Sequence, residues 1–195
     1  MSELFDPNML WVLSSSVLLG ISSGVLGSFA LLRRRSLLGD ALAHAALPGI
    51  GIAFILTGTK DLPILLLGAI IAGLLGAFVI QAVVRHTRIK EDAALGIVLS
   101  VFFAFGIVLL TKIQHSGAGN QSGLDKFLFG QAASMVGSDV QVMAVSAAAI
   151  CLLAILLFKE FKLLCFDAQF AGGLGFSPRL LDGLLMVLIV TVVVI

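Results

Sequence analysis

Residues 37–57 read LLGDALAHAALPGIGIAFILT. Only Asp40 and His44 ionise in this stretch; the remainder is apolar or small, with Pro48 near the middle and Thr57 at the end. An α-helix rises ~1.5 Å per residue and needs about 20 apolar residues to cross hydrocarbon, so the stretch is long enough to span. Lipid supplies no hydrogen-bond partners, and a spanning segment must satisfy its own backbone. The alternation of a barrel strand is absent. The reading is a membrane helix that carries two titratable side chains.

The rest of the chain has the same character. Of 195 residues, 59% are apolar and 12% charged, and the mean hydropathy is +1.16. A soluble domain carries about 25% charged residues. Charges and turn residues cut the chain into apolar blocks at about 9–32, 37–57, 62–84, 93–111, 140–158 and 180–195. The predicted fold is therefore all-α, a polytopic transmembrane helix bundle of about six spans, organised as one membrane domain over residues 1–195. Gly20, Gly24 and Gly27 in the first block, and Gly68, Gly73 and Gly76 in the third, are spaced for close approach between helices. No cleavable signal peptide is evident, because Glu3 and Asp6 precede the first block where a basic segment would stand. Thirteen residues follow Asp182, too few to cross comfortably, so the chain is expected to be the N-terminal part of a longer protein. Cys151 and Cys165 form neither a disulfide framework nor a metal clamp.

Orientation follows from the basic residues. Arg33, Arg34, Arg35, Arg85, Arg88, Lys90, Lys159, Lys162 and Arg179 fall in alternate connections, against Lys60, Lys112 and Lys126 in the others. This places the first, third and fifth connections in the cytoplasm and the N-terminus outside. The clusters are short and lie between apolar runs, which speaks against nucleic-acid binding.

Asp40 and His44 are four residues apart and share one helix face. Counted from Arg35, His44 sits roughly 14 Å along the axis, near mid-membrane, with Asp40 about one turn shallower. Ionisable side chains at such depth normally face a bundle interior or a wet cavity, so a buried pair is expected. Carboxylate and neutral imidazole both ligate divalent ions. Pro48 has no N–H, so the His44 carbonyl loses its usual helical partner. Gly49 and Gly51 weaken the helix further. A helix break at Pro48 and Gly49 is expected, of the kind that builds sites within membranes. Metal or ion handling, a proton relay and a structural Asp–His contact all use these residues, and spacing alone leaves the three open.

Other segments carry weaker signals. His86 reads as a solvated residue at a membrane boundary and His115 as a solvated loop residue. Within the outer connection, residues 124–136, with Phe127 and Phe129, read as a short interfacial helix. Residues 159–179 form a long cytoplasmic connection. Its segment 166–176, FDAQFAGGLGF, reads as a short amphipathic helix and a Gly-rich turn, fit to dock in a partner's groove or to lie at the interface. There is no GxxxxGK[ST], no Ser/His/Asp set and no HExxH. Any energy source must come from another chain or an ion gradient.

Four stretches, in order, resemble the membrane permeases of ATP-binding-cassette importers for manganese, zinc and iron. They are LLRRRSLLGDALAHAALPGIGIAF (31–54), RIKEDAALGIVLSVFFAFGIVLL (88–110), FLFG (127–130) and FDAQFAGGLGFSPRLLDGLLMVL (166–188). The resemblance implies a non-enzymatic permease of the bacterial cell (inner) membrane that acts with a second permease copy. It further implies a cytoplasmic ATPase dimer that hydrolyses ATP and an extracytoplasmic metal-binding protein. Asp40 and His44 match the family's metal-coordinating positions, for a transported Mn, Zn or Fe ion rather than a permanently bound cofactor. The segment holding Phe166, Asp167, Ala171 and Gly175 matches its coupling helix, within the cytoplasmic segment 159–179. Family members continue with further membrane helices. Ala43 stands where many relatives have Ser. The alternatives are a proton-coupled secondary transporter using the Asp40/His44 pair, or a non-transporting membrane scaffold.

Overall fold

Apolar runs become helices here, and most end where the sequence turns polar or supplies glycine. The computed structural model describes residues 7–35, 37–59, 61–115 and 137–195. Its helices are α1 (Pro7–Leu32), α2 (Leu38–Thr57), α3 (Leu62–His86), α4 (Glu91–His115), α5 (Gly137–Leu156), α6 (Phe158–Phe166), α7 (Ala168–Gly173) and α8 (Pro178–Val194). No strand occurs among the described residues. The ends have chemical causes. Gly58, at φ 65°, takes the left-handed turn that stops α2 and donates its N–H to the Phe54 carbonyl at 2.8 Å. α3 opens with a proline in its first turn. α4 carries Glu91 and Asp92 in its first turn and Lys112 and His115 in its last, the arrangement its macrodipole favours.

The chain packs as two compact units. One holds α2, α3 and α4. There the helices approach on glycine. A Cβ placed on Gly49 would collide with the Gly68 carbonyl, and one on Gly76 would lie 2.8 Å from the Ala45 Cβ. The paired numbers run in opposite senses, so α2 and α3 are antiparallel. Against α4, a Cβ on Gly106 would meet the Leu47 Cβ at 2.8 Å, and one on Gly51 the Leu109 Cβ at 3.2 Å. These numbers rise together, so α2 and α4 run parallel. Ala53, Phe54, Leu65, Leu110 and Ile113 close the far end of this unit as a buried cluster.

The other unit holds α1 and α5–α8. α1 packs along α5. The chain then turns by 63° between α5 and α6. Phe29 of α1 sits at this bend, edge to face with Phe158 at 5.8 Å and Phe161 at 5.7 Å between centroids. Beyond the bend, Asp182 near the start of α8 meets Arg33 and Arg35 at the end of α1, at 2.8 and 3.1 Å. Arg33 also donates to the Leu164 carbonyl at 3.3 Å.

The expected count of about six spans is corrected. Among the described residues, four helices are long and apolar enough to cross a membrane, α1 through α4, or five if the bent pair α5–α6 counts as one. The segment 124–136 and Lys60 lie outside the described residues.

Candidate functional site

α2 sorts its side chains by direction. Ala45, Gly49 and Ala53 meet α3, while Leu47, Pro48 and Gly51 meet α4. His44 continues the α4-facing side, where it meets Phe103, and Asp40 lies one turn before it; their side chains are 38% and 68% exposed in this chain. The expectation of a buried pair is therefore corrected. The buried strip of α2 is filled by apolar and small residues, from Leu38 and Leu42 to Ala53 and Phe54, and a carboxylate there would lose water without gaining a partner.

Two further expectations change. α2 is one α-helix from Leu38 to Thr57 with Pro48 inside it, so Pro48 and Gly49 do not break it. Packing accommodates the proline inside the helix: Pro48 is buried, and its Cδ would lie 3.3 Å from a Cβ on Gly106, so the bare glycine makes its room. Pro48 still offers the His44 carbonyl no N–H. Measured along α2, Asp40 is in the first turn and His44 is about 9 Å from the start of a helix roughly 30 Å long. The pair thus lies in the N-terminal third of α2, not at mid-length. The free N–H groups of a first helical turn favour a carboxylate such as Asp40.

The pair itself is poised but not locked. His44 Nε2 and Asp40 Oδ1 are 3.6 Å apart, beyond hydrogen-bond range. One divalent ion with metal–ligand bonds near 2.1 Å at a tetrahedral angle would hold two such donors about 3.4 Å apart. A small side-chain rotation closes that difference. No group of three or more His, Cys, Asp or Glu that could hold a metal occurs among the described residues. The chain therefore brings two ligand side chains together at this point. His44 also meets the ring of Phe103 on α4.

The segment expected to dock a partner is well defined. Asp167 caps α7 by accepting from the Phe170 N–H at 2.8 Å. Ala171 is fully buried and fixes the helix to its unit. Gly175, at φ 90°, closes α7: its N–H bonds the Gly172 carbonyl and that of Phe176 the Ala171 carbonyl, both at 3.1 Å. Phe166, Phe170, Leu174 and Phe176 remain exposed, Phe166 at 72%. The segment thus presents aromatic and aliphatic side chains on a rigid turn.

His86 and His115 are exposed and each bonds the carbonyl four residues back in its own helix, at 2.9 and 2.8 Å. Both cysteines are free thiols. Sequence reading missed Phe103, Gly106 and the Arg33–Asp182–Arg35 cluster. Of these, Asp182 alone carried a signal, as an acid at the head of an apolar run.

Comparison with known proteins adds a family and relatives. The model of the ABC 3 transport family matches residues 5–195. The chain is 60% identical over 193 residues to the manganese transport system membrane protein MntC of Bacillus subtilis, covering 99% of this chain and 44% of that one. It is 50% identical to the zinc transport system membrane protein TroC of Treponema pallidum, over 94% of this chain and 62% of that one. The fold resembles a chain of PsaBC from Streptococcus pneumoniae, solved in complex with Fab, with a TM-score of 0.81 and 35% identity over 97% of this chain and 65% of that one. The chain thus spans about half to two thirds of the length of the relatives it matches.

Proposed function

The chain belongs to the ABC 3 transport family, and from that premise we propose that it is part of a permease for divalent transition metals, manganese, zinc or iron, with Asp40 and His44 as ligands on the path. The observation that carries this reading is the pairing of a carboxylate oxygen and an imidazole nitrogen 3.6 Å apart on an open flank of a membrane helix. Two open donors suit a transport site, where an ion must leave as readily as it enters. A second permease copy carrying the same pair would raise the donor set to four side chains. An extracytoplasmic metal-binding protein would deliver the ion. The exposed apolar side chains of Phe166, Phe170 and Leu174 suit docking on a cytoplasmic ATPase dimer, with Asp167, Ala171 and Gly175 holding the turn in shape.

The proposed setting is a bacterial cell membrane with the N-terminus outside. The excess of basic residues in alternate connections supports the sidedness, and the Arg33–Asp182 and Arg35–Asp182 pairs agree with the end of α1 and the start of α8 sharing one side. The test uses the complete permease with its ATPase. Asp40→Asn and His44→Ala are expected to abolish uptake of Mn²⁺ and Zn²⁺ while the protein still inserts in the membrane at its usual level. Normal uptake in both variants sinks the assignment.

A further inference from the structure

Histidines that ligate metals usually have their ring plane fixed by a hydrogen bond from the other nitrogen. His44 lacks that device. Among the described residues its polar neighbour is Asp40, at 3.6 Å, and no hydrogen bond orients the ring. What meets the imidazole is an aromatic ring. Phe103 stands edge to face with it, centroids 5.0 Å apart and planes at 77°. This is a favoured geometry for two rings.

Helix register puts the ring there. α2 and α4 run parallel, and Gly51–Leu109 and Leu47–Gly106 are successive steps of one seam. The next step back brings His44 to Phe103. Gly106 is decisive, since any side chain there would strike Leu47 and Pro48 and push α4 away. Helix register sets the contact, with Phe103 and His44 each still 38% exposed in this chain.

We propose that Phe103 is a positioning residue for His44: its ring holds the imidazole plane so that Nε2 is presented beside Asp40, and so sets how readily the pair takes a divalent cation. This rests on the reading of Asp40 and His44 as ligands. Phe103 donates nothing to the ion. It removes the ring rotation that an unrestrained histidine would have to give up on binding.

The experiment uses the complete permease purified with its ATPase subunits and titrated with Co²⁺, whose visible absorption reports ligand type and geometry. Phe103→Leu is expected to raise the half-saturating Co²⁺ concentration about three- to tenfold, the range an aromatic pair of this kind supports, and to alter the spectrum. Phe103→Met, a second ring-free variant, should behave alike. Phe103→Tyr keeps the ring and should stay within about twofold of the unsubstituted protein. In a His44→Ala background, Phe103→Leu should weaken the residual Co²⁺ binding no further. If His44→Ala binds Co²⁺ as the unsubstituted protein does, the ligand reading falls and this inference falls with it. If His44→Ala loses binding while both ring-free Phe103 variants bind normally, the ligand reading stands and the positioning role is overturned. An equal loss from Phe103→Leu with or without His44 overturns it as well.

Discussion

Asp182 holds two guanidinium groups on one carboxylate, with Arg33 and Arg35 bonding it at 2.8 and 3.1 Å. The three side chains are only 24%, 17% and 18% exposed, so water screens them less than it would a surface pair. Removing the acid leaves two partly desolvated cations facing one another. Asp182→Asn is expected to lower stability by about 1–3 kcal/mol, between the values for exposed and buried pairs. Asp182→Glu should recover part of the loss. Thermal unfolding of the detergent-solubilised complex measures both, and an unchanged midpoint for Asp182→Asn refutes the clamp. Asp182 was visible in the sequence as an isolated acid, but its partners lie 149 and 147 positions away, and nothing in one dimension pairs them. Asp40 and His44 were legible for the opposite reason, since ionisable residues inside an apolar run are scarce. Their openness was not legible. Which way they face depends on what α3 and α4 occupy on the other sides of α2.

Among the helices, glycine decides how closely two axes approach. A Cβ on Gly68 would lie 2.6 Å from the Gly49 carbonyl oxygen and 2.7 Å from the Ala53 Cβ, and a backbone cannot yield as a flexible side chain can. Gly68→Val is expected to leave little folded permease in the membrane. Gly24 on α1 has nothing within 4 Å of its would-be Cβ, so Gly24→Ala should change stability by no more than about 0.5 kcal/mol. Size-exclusion profiles of a fluorescent fusion separate the two outcomes, and equal yields would contradict the packing. The spacing of small residues in α1 and α3 looked equivalent in sequence, yet only α3 uses its glycines against a neighbour in this chain. Hydropathy located α1–α4 to within a few residues because charge ends each run sharply. It passed over the 63° bend after α5. The residues there, Leu157 and Phe158, are apolar, with neither Pro nor Gly to mark the turn. The bend is instead associated with Phe29, which belongs to another helix.

For the molecule as a whole, orientation is the property most open to test. Thr59 and Arg88 are both exposed, in successive connections, and the proposed topology sets them on opposite sides of the membrane. With Cys151 and Cys165 replaced, Thr59→Cys should react with an impermeant maleimide on intact cells, and Arg88→Cys only after permeabilisation. The reverse pattern would invert the topology, move the turn at Gly175 outside and remove its proposed docking role. The proposed orientation rests on the concentration of basic residues on alternate connections. Span number was less legible, because α5–α6 is bent. The division of α2 into a glycine- and alanine-lined side and an open flank has one more consequence. Residues 40 and 44 can be exchanged without disturbing the contacts at Ala45, Gly49 and Ala53. On the proposed reading of the pair as ligands, ion preference can change by drift at residues 40 and 44 while the α2–α3 seam stays as it is.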